Sequence, residues 1–150
     1  LLEPGRFLVG NAGVLLSRVE YVKRGQGKNF VILDAAMNDL VRPAMYEAYH
    51  DIRPVRPRPG GPGAYAVVGP ICETGDTFTR DRALPPLEAG DLVAFMPAGP
   101  YGAAMASEYN SRLLVPEVLV KGAEFAIVRP RPTYEDMLAP ERPAPWLKPR

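Results

Sequence analysis

Apolar residues fall along this chain in short blocks, and most of the blocks have the two-residue period of a strand. Over residues 14–23, Leu15, Val19 and Tyr21 face one way while Arg18 and Glu20 face the other, the alternation of a half-buried strand. Asn29-Phe30-Val31-Ile32-Leu33-Asp34 is more continuously apolar and predicts a more deeply buried strand. Between them Arg24-Gly25-Gln26-Gly27-Lys28 has turn composition, so the two predict a hairpin. Ala64-Tyr65-Ala66-Val67-Val68 and Asp91-Leu92-Val93-Ala94-Phe95-Met96 predict two further strands. Residues 117–120 and 123–128, joined at Lys121-Gly122, predict a second hairpin.

The period changes in a few places. Residues 7–12 predict one or two helical turns. Residues 38–50 predict a helix, with Asn38 or Asp39 able to cap it and Pro43 suited to its first turn. Shorter helical turns are predicted over 103–109 and 134–138. Two stretches predict irregular structure: the Pro/Gly/Arg-rich connector 53–63, extended and exposed, and 77–90, where Pro85-Pro86 obstructs regular pairing. The expected fold is mainly β: five or six strands with one or two short helices in a Greek-key-like barrel or sandwich, without internal repeats.

Composition narrows the function. The 150 residues carry a net charge of +1, which gives no electrostatic case for nucleic acid or an anionic membrane. No apolar run approaches a membrane span, and no signal peptide is expected. A single cysteine, Cys72, excludes an intrachain disulfide and fits a reducing, cytoplasmic compartment. With one histidine, His50, no metal site is expected. The 18 prolines suit short strands joined by stiff loops.

Cys72 lies in Gly69-Pro70-Ile71-Cys72-Glu73-Thr74-Gly75-Asp76, where a buried strand delivers a thiol and carboxylates to a glycine-bracketed loop. The bland reading is a buried cysteine beside a solvated turn. The chemical reading is a proton donor, since negative neighbours keep a thiol in its protonated form. Arg42 and Tyr46, four apart at a helix start, can clamp a carboxylate between a guanidinium fork and a hydroxyl. Glu3-Pro4-Gly5-Arg6 offers a glycine amide and a guanidinium to a phosphate. Tyr101, set between Pro100 and Gly102, is an exposed loop hydroxyl of the kind that touches ligands.

These stretches, in this order, resemble the C-terminal half of the diaminopimelate decarboxylase family. Glu3-Pro4-Gly5-Arg6, Asn11-Ala12-Gly13-Val14-Leu15-Leu16 and the run from Met37 to Tyr46 carry the resemblance. So do the Cys72 stretch, Ala98-Gly99-Pro100-Tyr101-Gly102 and Tyr109-Asn110-Ser111-Arg112. The resemblance covers roughly residues 1–130. It implies the C-terminal β domain of an enzyme built from a β/α barrel plus a β domain. Residues 1–13 are then the end of the barrel, 14–130 the β domain and 131–150 a Pro-rich tail.

The implied reaction is pyridoxal-phosphate-dependent decarboxylation of meso-diaminopimelate to L-lysine and CO2, in a homodimer with shared active sites. By resemblance Glu3, Pro4, Gly5, Arg6 and Tyr101 contact the cofactor, with Glu3 facing the pyridine nitrogen. Arg6, Arg42, Tyr46, Glu73 and Tyr101 contact substrate, with Glu73 at its distal amino-acid end. Cys72 donates the proton. Pro100 stands where the family commonly has alanine, and Thr74 where it often has serine. None of Lys23, Lys28, Lys121 and Lys148 matches the family's cofactor-holding lysine, which lies upstream on the barrel. The expectation is therefore a fragment that lacks the barrel and is inactive alone. A related ornithine, arginine or carboxynorspermidine decarboxylase and a silent β-barrel binding module stand as alternatives.

Overall fold

The computed structural model describes residues 4–147 and divides the chain into two compact units, Leu1–Asn110 and Ser111–Arg150. The first unit is built on six strands: β1 (Leu15–Arg24), β2 (Asn29–Leu33), β3 (Asp51–Pro54), β4 (Gly63–Val68), β5 (Thr77–Leu84) and β6 (Leu92–Met96). They hydrogen-bond in the order β3-β6-β1-β2-β4-β5, forming a nearly closed, barrel-like sheet. The expected mainly-β barrel is thus present. Two strands appear where no strand was expected, β3 overlapping the start of the connector and β5 before Pro85-Pro86. They are the two edges of the sheet.

The long strand β1 joins two halves of the sheet. Its first residues pair antiparallel with β6 (Leu15↔Phe95) and its later ones with β2 (Val22↔Val31). The register slips between Val19 and Tyr21, where the chain passes from one partner to the other. This bulge changes the phase of the alternation: Val19 is buried, but Tyr21 is exposed and Val22 turns partly inward. Tyr21 therefore does not share the buried face with Val19, contrary to the sequence expectation.

Val19, Val31, Leu33, Val67, Val93 and Phe95 meet in the core, where Phe78 packs against Phe95 with ring centroids 4.5 Å apart. Burying each large apolar side chain contributes about 1.5–3 kcal/mol. β2 and β4 are parallel, so the chain between them, residues 34–62, is a crossover. It contains helix α2 (Arg42–Tyr46) and strand β3. Helix α1 (Gly5–Val9) and a 3-10 turn at Gly10–Ala12 precede β1, as expected.

Helix α2 is much shorter than the predicted 38–50. Asn38 and Asp39 do not cap it; they are buried in a tight turn just before it. The Asp39 carboxylate accepts from the Ala36 amide (2.9 Å), which closes that turn. The helix ends at Glu47, whose left-handed backbone (φ 52°) stops propagation. In place of the expected helix over 103–109 two 3-10 turns form, Ala103–Met105 and Tyr109–Ser111.

In the second unit β7 (Glu117–Lys121) and β8 (Glu124–Arg129) form the expected hairpin, turning at Gly122 with φ 61°. An ion pair between Arg129 and Glu117 (2.9 Å) closes its open end. Leu119, Val120, Phe125 and Ile127 on this hairpin are exposed. Helix α3 (Tyr134–Leu138) is the expected helical turn, started by a reciprocal Thr133–Asp136 capping box. Among the described residues no helix is long and apolar enough to cross a membrane, and no cluster of His, Cys, Asp and Glu is placed to hold a metal.

Candidate functional site

The turn at residues 36–39 gathers the chemistry of the first unit. Upstream, Asp34 accepts from the Ser17 hydroxyl (2.6 Å) and the Arg18 amide (2.8 Å), while the Ser17 oxygen accepts from the Ala35 amide (3.1 Å). These bonds tie the exit of β2 to β1 and fix where the turn begins. The turn then binds two loops that are distant in sequence.

The first is the Cys72 loop. Asp76 is only 2% exposed, and its carboxylate accepts from the Ile71 amide within the loop and from the Met37 amide of the turn, each at 2.7 Å. The sequence left Asp76 either as a carboxylate beside the thiol or, on the bland reading, as a solvated turn residue. Instead it is the internal brace of the loop. The brace requires glycine at position 69, where a Cβ would lie 2.6 Å from the Asp76 carboxyl carbon. With its base held, the loop leaves Cys72 and Glu73 exposed at its tip. The buried-cysteine reading fails here, because Cys72 is open to solvent.

The second loop follows β6. Ala98 donates its amide to the Gly13 carbonyl (2.8 Å), and a Cβ at Gly13 would come within 2.8 Å of the Gly99 α-carbon. The segment carrying Gly5 and Arg6 is thereby packed beside the loop carrying Tyr101. Tyr101 has a left-handed backbone (φ 62°), a conformation costing about 1–3 kcal/mol for a side chain of this kind. The Arg42 guanidinium lies over its ring, 5.7 Å from the centroid. Farther on, the Ser107 amide donates to the Asn38 carbonyl (2.9 Å), and the Asn38 side chain donates back to the Ser107 carbonyl (3.0 Å). This brings Tyr109 to the Cys72 loop, where its hydroxyl donates to Glu73 at 2.7 Å. The carboxylate holds the Tyr109 phenol above its ordinary value, first through this hydrogen bond and then through its charge.

His50 ends the α2 excursion and is only 4% exposed. The Pro97 carbonyl can only accept, so His50 donates to it from Nδ1 (2.9 Å), and Nε2 is left as a buried lone pair without a partner. Burial lowers the pKa of His50, and the positive charges of Arg42 and Arg6 lower it further. His50 is thus neutral, and it anchors the start of the Tyr101 loop to the chain leaving α2.

Arg42 and Tyr46 lie at the two ends of α2, with Tyr46 exposed. One helical turn gives Arg42 little of the anion-attracting field expected of a longer helix. Pro4, Gly5 and Arg6 are exposed at the start of α1, and nothing lies within 4 Å of where a Gly5 Cβ would sit. Glu3 lies outside the described residues. Two grooves, of about 450 and 350 Å³, are lined by other side chains. The expected site residues therefore form an open surface rather than a closed pocket.

The family described as pyridoxal-dependent decarboxylase, C-terminal sheet domain, matches residues 7–99. This chain belongs to the pyridoxal-dependent decarboxylases. Among similar members, the diaminopimelate decarboxylase of Neisseria meningitidis serogroup A is 56% identical over 94% of this chain and 34% of its own length. That of Zymomonas mobilis is 53% identical over 98% of this chain and 35% of its own. The crystal structure of diaminopimelate decarboxylase from M. jannaschii in co-complex with L-lysine superposes with a TM-score of 0.90 at 39% identity. It covers 95% of this chain and 33% of that one. The chain thus spans about one third of the length of its curated relatives.

The donor set of this decarboxylase domain fits a phosphorylated cofactor. The amides of Gly5 and Arg6 open α1 without partners inside the helix, Gly5 leaves room for close approach, and the Arg6 guanidinium and Tyr101 hydroxyl are exposed. The residues whose roles the sequence did not indicate are Asp76, Asn38 and Tyr109. Asn38 and Tyr109 stand within the matching stretches, but their contacts join residues 69 and 36 positions apart, which no local pattern reveals.

Proposed function

We propose that this chain is the C-terminal part of a diaminopimelate decarboxylase, which removes the α-carboxylate from the D-centre of meso-diaminopimelate to give L-lysine and CO2. The supporting observation is that two loops distant in sequence, the Cys72 loop and the loop after β6, converge on residues 36–42. Met37 holds the base of the Cys72 loop through Asp76, Asn38 holds the approach to Tyr109 through Ser107, and Arg42 lies over the Tyr101 ring. The identity to diaminopimelate decarboxylases, above half over nearly the whole chain, supports the same reading.

Bound pyridoxal phosphate supplies the electron sink for the carbanion left by CO2. Gly5 and Tyr101 would hold its phosphate, with Pro4 and Arg6 alongside, and by resemblance to the family Glu3 would serve its ring nitrogen. Arg6, Arg42 and Tyr46 hold a substrate carboxylate, and a cation–π contact with the Tyr101 ring, 5.7 Å from its centroid, steadies the Arg42 guanidinium. Glu73 meets the ammonium of the distal amino-acid end. A simple distal amine, as in ornithine, would have no use for the carboxylate clamp. Once the carbon–carbon bond breaks and CO2 departs, the electron pair stays on the α-carbon. Cys72 gives its proton to that carbon, and the resulting thiolate is reprotonated from solvent.

Residues 1–13 end a preceding barrel, 14–130 form the β domain and 131–150 a tail. The exposed apolar hairpin β7–β8 is a surface that the remainder of a longer protein would cover. The enzyme is a cytoplasmic homodimer in which the Cys72 loop serves the partner's site.

The test uses the full-length enzyme loaded with pyridoxal phosphate. Cys72→Ala should retain cofactor absorbance and substrate binding while slowing lysine release by on the order of 100-fold, the usual weight of a positioned acid. Unchanged lysine release would sink the assignment of Cys72. Absence of lysine formation by the unaltered enzyme would sink the reading as a whole.

A further inference from the structure

Tyr109 has no role in the function proposed above, yet it hydrogen-bonds to the residue assigned to the distal end of the substrate. Its hydroxyl donates to Oε2 of Glu73 at 2.7 Å, across 36 residues of sequence. Both groups are exposed, so burial does not force them together. Neighbouring residues of one buried turn do. Met37 holds the base of the Cys72 loop through Asp76, and Asn38 holds the approach to Tyr109 through two hydrogen bonds with Ser107. Asn38 is 2% exposed, and its amide also donates to Asp39 at 3.2 Å. Asn110, directly after Tyr109, adopts a left-handed backbone (φ 60°) that turns the chain away once the tyrosine is placed.

The chemical consequence follows from the acceptor geometry of a carboxylate. A glutamate on an exposed loop samples many rotamers. One that accepts a phenol hydroxyl on Oε2 has that oxygen fixed and keeps Oε1 for a ligand. We propose that Tyr109 is a positioning residue for substrate specificity: it aims Glu73 at the distal ammonium, and the Met37-Asn38 turn keeps the two loops in register. This rests on the reading of Glu73 as the distal-end contact. It predicts that Tyr109 discriminates between substrates without taking part in bond breaking. The phenol suits the task at neutral pH, where a tyrosine is protonated and donating, and the carboxylate beside it raises its pKa further.

Two measurements on the full-length, cofactor-loaded enzyme test this. The first is titration of Tyr109 by NMR with labelled tyrosine. Glu73→Gln should bring the phenol down toward its ordinary value; an unmoved titration means the contact is not made in solution and overturns the proposal. The second is steady-state kinetics with meso-diaminopimelate. Tyr109→Phe removes only the hydroxyl and should raise KM about tenfold, the weight of one hydrogen bond to a charged group, with kcat within about twofold. In a Glu73→Gln background the same change should leave KM where Glu73→Gln put it. If Tyr109→Phe leaves KM unchanged, or lowers kcat alone, the positioning role is wrong even though the contact exists. If Glu73→Gln itself leaves KM unchanged, the distal-end reading of Glu73 fails, and the proposal fails with it. The tyrosine titration still reports the contact in that case and separates the two failures.

Discussion

Replacing Asp76 by asparagine should release the Cys72 loop from the sheet. The carboxylate is almost fully buried and accepts two short amide hydrogen bonds, from Ile71 and Met37. Each such bond to a charged group contributes about 1.5–3 kcal/mol. Asparagine keeps the shape but turns one of the two acceptors into an NH2 donor facing an amide donor. One bond is lost, a buried N–H is left unpaired, and the remaining bond loses its charge, for a combined penalty of about 3 kcal/mol. Since 1.4 kcal/mol is a factor of ten, the Ile71 and Met37 amides should lose protection from hydrogen exchange by about 100-fold. Core amides in β1 and β2 should change less if the loop opens locally. Gly69→Ala should couple to this change, because its Cβ would sit inside van der Waals contact of both Asp76 carboxylate oxygens. Each substitution disrupts the same brace, so the double variant should be less destabilised than the sum of the two. A change in Ile71 and Met37 protection below about threefold, or strict additivity with Gly69→Ala, would refute the account of Asp76 as the brace.

Three further outcomes follow from groups already described. His50 has a lowered pKa, so the unfolded chain takes up a proton that the folded chain refuses. Its contribution to stability is complete above the ordinary value of 6.5 and is lost as pH falls through the lowered folded value. Melting temperatures measured between pH 7.5 and 5 should drop, and His50→Asn should flatten the drop; an equal slope in that variant would exclude His50 as the source. Gly99→Ala should drive a methyl group into the Val9 carbonyl, costing about 1–3 kcal/mol or more and separating the Gly5-Arg6 segment from the Tyr101 loop. Urea titration checks the stability, and limited proteolysis near residues 9–13 checks the separation. Thr133→Ala removes the capping box of α3 and should lower its helicity, with a loss of about 1 kcal/mol read from amide exchange of Met137.

The strands that were legible in the sequence are those buried inside the sheet or carrying plain alternation: β1, β2, β4 and β6, with the β7–β8 hairpin. β3 and β5 were not, and both lie at sheet edges. Edge strands carry proline and charge, as Pro54 does in β3 and Arg80, Asp81 and Arg82 do in β5, so their patterns look irregular. Asn38 and Asp39 have the composition of helix caps, and only tertiary structure shows that their polar groups serve a buried turn. The candidate site residues were named from their motifs. The geometry that joins them was not, because the brace at Asp76 and the Asn38–Ser107 clamp close loops between stretches that no periodicity relates.

The parallel pairing of β2 with β4 has a consequence for the order in which this domain folds. Every other strand pair in the sheet is antiparallel, but β2 and β4 cannot meet until residues 34–62 have been laid across the sheet. That loop must be closed, and its entropy lost, before the pairing rewards it, which puts this step on the slow side of folding. The crossover is also the segment that carries Arg42, Tyr46 and the Met37-Asn38 turn. Chains in which the centre of the sheet has zipped up have therefore already committed these candidate site residues to place. A kinetic intermediate with β1 and β2 paired but β4 still free would lack the anchoring turn, and with it both loops of the site.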